Sequence, residues 1–160
     1  MKGLVVYHTK FGNCRKIAEN IAKGLKEAGL EVEIISSDTR KIASEYDFIA
    51  VGAGTRMGRM TGEIKRFIKS EIKKKVWSGK PFLAFGTGVR PEGEGSRFDD
   101  WSARGAVRIH EALEARGLKP IGGAAKFYVK EQEGPLEEGE EERALQLGLD
   151  TGKLMLTPAD

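Results

Sequence analysis

Residues 3–7, Gly-Leu-Val-Val-Tyr, carry no charged side chain for either face of an extended segment. Such a strand needs cover on both sides, as a central strand of a parallel sheet has between two helical layers. Similar apolar runs return at residues 47–52 (Asp-Phe-Ile-Ala-Val-Gly) and 81–86 (Pro-Phe-Leu-Ala-Phe-Gly). Val32 to Ile35 and residues 119–130 supply two further strands, the last interrupted at Gly122-Gly123. Helical spacing fills the intervals. Ile17, Ala18, Ile21, Ala22, Leu25 and Ala28 fall on one helical face, which Gly29 stops. Thr61 is placed to cap a second helix with Ile64, Phe67, Ile68 and Ile72 on its apolar face. A third helix carries Ala106, Ile109 and Leu113 and stops at Gly117, and a last one runs from about Glu140 to Leu154. Residues 37–46 leave room for no more than a stunted helix.

Strands alternating with helices imply right-handed crossovers. The expected fold is α/β: a doubly wound five-stranded parallel sheet with helices on both faces. The length of 160 residues suits one domain, 1–160. Ligands in such sheets bind beyond the carboxyl ends of the strands, at the switch point. That rule singles out loops 8–14, 53–60 and 87–100.

Charge and cysteine content narrow the chemistry. Cys14 is the only cysteine, which excludes an internal disulfide and a cysteine-ligated cluster. No apolar run approaches the ~20 residues that span a bilayer, and the first residues lack a signal peptide's apolar stretch. The expectation is a cytoplasmic protein without a membrane span. The net charge of +3 is uneven. Lys65, Arg66, Lys69, Lys73, Lys74, Lys75 and Lys80 form a basic region, and Glu131, Glu133, Glu137, Glu138, Glu140, Glu141 and Glu142 an acidic one. No aromatics interleave with the basic run, so nucleic acid is not an expected partner.

Loop 8–14 leads straight into the first helix. The free N–H groups and the dipole of a helix start favour an anion. Gly12 and Asn13 tolerate the backbone conformations that turn successive N–H groups inward. Thr9 offers a hydroxyl, Cys14 a thiol, and Lys10 and Arg15 charge. The signal is phosphate, without naming which. A G-x-x-x-x-G-K-[ST] loop is absent, so nucleoside triphosphate is excluded. Gly52, Gly54 and Gly58 give G-x-G-x-x-x-G, one residue too long for a dinucleotide fingerprint. Tyr7-His8 and Val51-Gly52 stand where a receiver domain needs acids. In the similar loop of low-molecular-weight tyrosine phosphatases the nucleophilic cysteine would fall at Thr9, whose hydroxyl cannot do thiolate chemistry.

Thr9-Lys10-Phe11-Gly12-Asn13-Cys14 resembles the flavodoxin phosphate loop, roughly Thr/Ser-x-Thr-Gly-Asn-Thr after strand one. Phe11 and Cys14 depart from it by replacing hydroxyl residues. Gly54-Thr55-Arg56-Met57-Gly58-Arg59-Met60 is similar to the flavodoxin segment beside the flavin's reactive edge, and Phe85-Gly86-Thr87-Gly88-Val89 to the one beside the opposite edge. The resemblance covers nearly the whole chain. It implies non-covalent flavin mononucleotide (FMN), its phosphate held by Thr9, Lys10, Phe11, Gly12, Asn13 and Cys14. Its ring would lie between Thr55, Arg56, Met57, Gly58 and Thr87, Gly88, Val89, with Phe98 and Trp101 within reach of it.

The implied function is a small FMN-dependent electron carrier working with a redox partner protein or a quinone-like planar acceptor. The alternatives are an FMN oxidoreductase of the quinone-reductase or protoporphyrinogen-oxidising type, and a binding module that has lost the flavin. Arg56, Arg59 and Arg90 are expected near the ring, where positive charge favours its reduced anion. Elsewhere Cys14 reads as a small helix-start residue and Phe11 as a loop anchor packed on the core. His8 reads as a structural group or a proton relay, His110 as core-edge, and Trp77 as packed on the sheet.

Overall fold

The computed structural model describes residues 1–39, 41–43, 45–56, 59–90 and 104–157. Its elements, in chain order, are β1 (Lys2–His8), α1 (Asn13–Ala28), β2 (Glu31–Ser36), β3 (Phe48–Arg56), β4 (Arg59–Met60), α2 (Gly62–Glu71), α3 (Lys74–Trp77), β5 (Pro81–Val89), α4 (Arg104–Ala115), β6 (Lys119–Pro120), β7 (Ala125–Val129) and α5 (Glu140–Leu156). The sheet runs β2-β1-β3-β5, and β6 and β7 both pair with β5 in parallel. The order reverses after β2, which places the switch point between β1 and β3. The interruption at Gly122-Gly123 divides the fifth strand position between β6 and β7. Among the described residues of 37–46 no helix forms.

Each central strand feeds two cores by alternation. Leu4, Val6, Ile49, Val51, Phe82 and Ala84 join Ile64, Phe67, Ile109 and Leu113 on the α2–α4 face. Val5, Phe48, Ala50, Leu83 and Phe85 join Ile17, Ile21, Leu25 and Phe127 on the opposite face. Trp77 is buried in the first core, stacked on Tyr46 with ring centroids 6.4 Å apart, although the short α3 that carries it has no periodic signal of its own. His110 lies at that core's edge, its ring 5.0 Å from Phe82.

Two of the expected loops are shorter than the sequence suggests, because the strands run further. β5 continues through Thr87, Gly88 and Val89, paired with Phe127, Tyr128 and Val129. β3 continues to Arg56 and turns back through β4, Thr55 pairing with Met60. Thr61 stands at the N-cap of α2 as expected, but its side chain makes no capping bond and its hydroxyl is buried without a partner among the described residues.

The two helices on the β7 side cross at backbone contact. A Cβ on Gly24 of α1 would stand 2.2 Å from the carbonyl oxygen of Leu145, and one on Gly148 of α5 2.1 Å from that of Ile21. Neither neighbour is a side chain that could swing away. Gly148→Val should therefore destabilise the chain by about 3 kcal/mol or more, since the helices must separate. Gly62→Ala, in the first turn of α2 with nothing within 4 Å, should be neutral or slightly stabilising. Urea denaturation of both variants checks the contrast.

Candidate functional site

At the carboxyl ends of β1, β3 and β5 lies a cleft of about 390 Å³. The parallel ladder brings its walls together by pairing His8 with Ala53 and Gly54 with Thr87. Thr9, Lys10, Phe11, Asn13 and Cys14 line one wall, Gly54 and Thr55 the second, and Thr87, Gly88 and Val89 the third. The three chain segments singled out by the switch-point rule thus meet in one place. Met57 and Gly58 lie outside the described residues, as do Phe98 and Trp101, and the side chains of Arg56 and Arg59 are likewise not described.

The first wall is built for an anion. Gly12 adopts φ 90° at the N-cap of α1, a left-handed conformation that glycine reaches without the Cβ penalty. Thr9 Oγ1 accepts the Gly12 N–H at 2.8 Å and closes the loop into a tight turn. No side chain caps α1, and the bond that closes its first turn runs from Lys16 N–H to the Gly12 carbonyl at 3.2 Å. Helix geometry then leaves the N–H groups of Asn13, Cys14 and Arg15 without intrahelical acceptors. The positive end of the α1 dipole lies in the same turn.

Two side chains of this loop differ from expectation. Phe11 is not packed on the core. It is 43% exposed on the cleft rim, with the Lys10 ammonium 5.3 Å from its ring centroid, because Cys14 and Ile17 already seal the core beneath. The Asn13 amide is tied to the segment after β7, donating to the Glu133 carbonyl at 3.3 Å. Cys14 is a buried helix-start residue as expected, and burial pushes its thiol far above the usual range, so it stays neutral.

Thr55 links the second wall to α4: its Oγ1 accepts the Gly105 N–H at 3.2 Å. In the third wall Thr87 is buried, whereas Val89 is 39% exposed. Arg90 does not line the cleft. It is an exposed side chain paired with Glu137 at 3.1 Å and stacked 4.0 Å from the Tyr128 ring centroid, which draws it towards the acidic segment.

The cleft has further walls that the sequence reading left out. Thr61 and Glu63 enter from the start of α2, and Glu63 Oε2 lies 3.6 Å from His8 Nε2. Val129 and Gln132 enter from the end of β7. Glu63 was legible, because the first turn after β3–β4 must sit at the carboxyl end of the sheet. Gln132 was not, because the segment folds back along β7 through Glu137 N–H to the Tyr128 carbonyl and a bridge from Val129 to Leu136. Glu140, buried, anchors that return: it accepts the Tyr128 N–H at 2.7 Å and two bonds from Arg143, whose guanidinium also donates to the Lys126 carbonyl.

The arrangement offers amide donors from α1 and apolar side chains, the exposed Phe11 and Val89 and the buried Val129. The buried Thr61 hydroxyl, on the same cleft, has an unfilled hydrogen-bonding capacity among the described residues. A phosphate joined to a planar, largely apolar body fits this donor set and volume. Among the described residues no group of His, Cys, Asp and Glu is placed to hold a metal ion, and no helix is long and apolar enough to cross a membrane.

An open α/β sheet with a cleft at its switch point, one wall of it a helix start with free amides, defines a class of doubly wound ligand-binding folds. Within that class the chain belongs to the flavodoxin domain family, whose sequence profile matches residues 4–120. Flavin binding is the property of that family. The chain is 34% identical over 90 residues to a flavodoxin of Aquifex aeolicus, covering 52% of this chain and 48% of that protein. It is 34% identical over 89 residues to an NAD(P)H dehydrogenase (quinone) of Methylocella silvestris, covering 42% of this chain and 45% of that protein. These matches thus span about half the length of either relative or less. In fold it is similar to a flavodoxin from the domain Archaea, with TM-score 0.79 at 22% identity over 98% of this chain and all of that one. Flavodoxin 1 of Bacillus cereus gives TM-score 0.73 at 21% identity over 99% of this chain and 100% of that one.

Burial opposes ionisation of Glu140, but Arg143 and the Tyr128 N–H outweigh it and hold the carboxyl below its usual range. A carboxyl depressed in the native state stabilises it fully at neutral pH, and that contribution is lost as pH falls through the depressed value. Glu140→Gln should cost about 1–2 kcal/mol at pH 7 and lose less on acidification than the parent chain. Urea denaturation at pH 7 and at pH 3 to 4 checks both statements.

Proposed function

We propose that this chain, acting as a single domain over residues 1–160, binds FMN without a covalent bond and serves as a small electron carrier. One observation carries the reading: the uncapped first turn of α1 opens into a cleft of about 390 Å³ formed by the three strand ends. When bound, FMN supplies one- and two-electron transfer. The protein's part is to hold and orient it. In this reading Thr9 to Cys14 hold the phosphate, with the Thr9 hydroxyl fixing the loop so that the amides of Asn13, Cys14 and Arg15 converge on it. The backbone amides replace the hydroxyls that Phe11 and Cys14 do not provide. Phe11 and Val89 keep water from the ring edge, and Thr55, Arg56, Met57, Gly58 and Thr87, Gly88, Val89 supply its two sides.

The partner would be a redox protein or a quinone-like planar acceptor. Lys65, Arg66, Lys69, Lys73, Lys74 and Lys75 are exposed along α2–α3 and, among the described residues, form no ion pair. Both acids of α2 are engaged, Glu63 with His8 and Glu71 with the N–H groups of Lys41 and Ile42. This balance favours an acidic partner surface. A second reading, an FMN oxidoreductase that reduces quinones, draws support from the names of the dehydrogenase relatives.

Titration of ligand-free protein with FMN and with riboflavin tests the site. FMN should bind at least about tenfold tighter, because only it offers a charged acceptor to the α1 amides. Equal affinities would remove the phosphate assignment. Gly12→Val, which puts a β-branched residue at φ 90°, should weaken FMN far more than riboflavin. The carrier reading expects two separate one-electron stages on stepwise reduction. Rapid oxidation of a reduced nicotinamide by the isolated protein with a quinone, and no separate one-electron stage, would favour the enzyme instead.

A further inference from the structure

The outer side of α2 and the turn into α3 carry charge of a single sign. Lys65, Arg66 and Lys69, spaced i, i+1 and i+4, share the side of α2 turned away from the buried Ile64, Phe67 and Ile68. Lys73, Lys74 and Lys75 continue the stripe, and all six residues are exposed. Among the described residues none of the six has an ion-pair partner. The acids of α2 are engaged elsewhere, Glu63 against His8 and Glu71 with the N–H groups of Lys41 and Ile42. Asp38 shares a cavity of about 20 Å³ with Arg66 but forms no ion pair with it.

The longer helices mix their signs. α1 exposes Arg15, Lys16, Lys23 and Lys26 beside Glu19 and Glu27, and α4 exposes Arg104 and Arg108 beside Glu111 and Glu114. α5 exposes Glu141, Glu142 and Asp150 beside Arg143 and Lys153. We propose that the α2–α3 stripe docks on an anionic lipid headgroup layer and holds the chain against a membrane surface without spanning it.

The make-up of the stripe favours lipid over an acidic protein. All but Arg66 are lysine, a side chain depleted from the cores of protein interfaces, where arginine and aromatics are enriched. Clustered lysine is what polybasic segments present to anionic lipid. No exposed aromatic joins the stripe, since Phe67 and Trp77 are both buried. Its apolar member is Val76, 40% exposed and directly after Lys75. A short apolar side chain among ammonium groups suits the boundary between headgroups and acyl chains. The lysine turn is also held from beneath. Trp77 is buried and stacked on Tyr46, and its N–H donates to the Lys73 carbonyl at 2.9 Å. The charges therefore stand on a formed surface rather than on a segment that must first be ordered.

α2 begins at the cleft, which Thr61 and Glu63 line, and the stripe starts one turn further on at Lys65. Docking by the stripe brings that wall of the cleft near the apolar layer in which quinone-like acceptors dissolve. This consequence rests on the FMN reading above; the lipid contact does not.

Flotation of the full chain with lipid vesicles is the test. Vesicles of equimolar phosphatidylcholine and phosphatidylglycerol should retain the protein, and vesicles of phosphatidylcholine alone should not. Retention should fall steeply between ~0.05 M and ~0.5 M salt, as screening shortens the reach of the charges. Lys73→Gln/Lys74→Gln/Lys75→Gln should weaken partition at least about tenfold. Lys23→Gln/Lys26→Gln/Lys153→Gln removes the same net charge from α1 and α5 and should weaken it no more than about twofold. All of these positions are exposed, so both variants should fold. A polarity-sensitive fluorophore on Val76→Cys, with Cys14 buried out of its reach, should shift to the blue on anionic vesicles and not on polyglutamate. Added FMN should leave retention unchanged, which separates this result from the FMN titration.

Absence of retention on anionic vesicles overturns the proposal. Equal losses in the two lysine variants overturn it too, because net charge would then account for the effect. Retention on polyglutamate, with no blue shift on vesicles, assigns the stripe to an acidic protein and overturns it as well.

Discussion

The register of the parallel ladder through β1, β3 and β5 is what everything else depends on. Tyr7 pairs with Gly52, and Gly52 with Phe85, so β1 ends at His8 while β3 and β5 run on side by side past it to Arg56 and Val89. The Phe85 ring occupies the space that a Cβ on Gly52 would need, with its nearest carbon 2.1 Å from that position. Gly52 is therefore not a turn residue, although it stands in a glycine-rich stretch. It is the gap into which the ring of Phe85, a strand residue of the second core, fits. A slip of one residue would send Val5 and Ala50 to the wrong face and separate the three walls of the cleft.

Around that frame the charges divide into two populations. Arg90, Arg143, Glu137 and Glu140 are spent on one another and on the β7 backbone, which fixes the return segment beside the cleft. The cleft itself retains a helix end, one lysine and the His8–Glu63 pair. In the proposed reading, the cleft holds the phosphate mainly by oriented amides whose positions the backbone sets. Such dipoles are organised before any ligand arrives, so little of the interaction is lost to reordering.

The sequence made the sheet legible because burial on both faces leaves an unmistakable record in residues 3–7 and 81–86. It made the three walls legible because a doubly wound sheet sends its ligand to its switch point. What escaped it was long-range. That Asn13 would turn to the Glu133 carbonyl depends on a segment 120 residues away, and no local pattern announces it. Phe11 was misread for a related reason: an aromatic in a loop suggests an anchor, but whether the core has room is decided by Cys14 and Ile17 from the next helix. Arg90 follows the third wall in sequence, yet Glu137 and Tyr128 draw its side chain out of the cleft. Thr61 has the right residue type in the right place for a cap and still leaves its hydroxyl without a partner among the described residues.

The glycine contact between α1 and α5 also bears on how the chain comes to be folded. Residues 24 and 148 touch backbone to backbone, so the groove on α1 has no partner until the ribosome has released most of α5. For that interval Ile21, Ala22 and Leu25 flank an open seam, although α1 is among the first elements made. Contacts of such long sequence separation form late and slowly. A nascent chain stalled before residue 140 should thus present an unsealed apolar helix beside the cleft, the kind of surface that holding chaperones recognise.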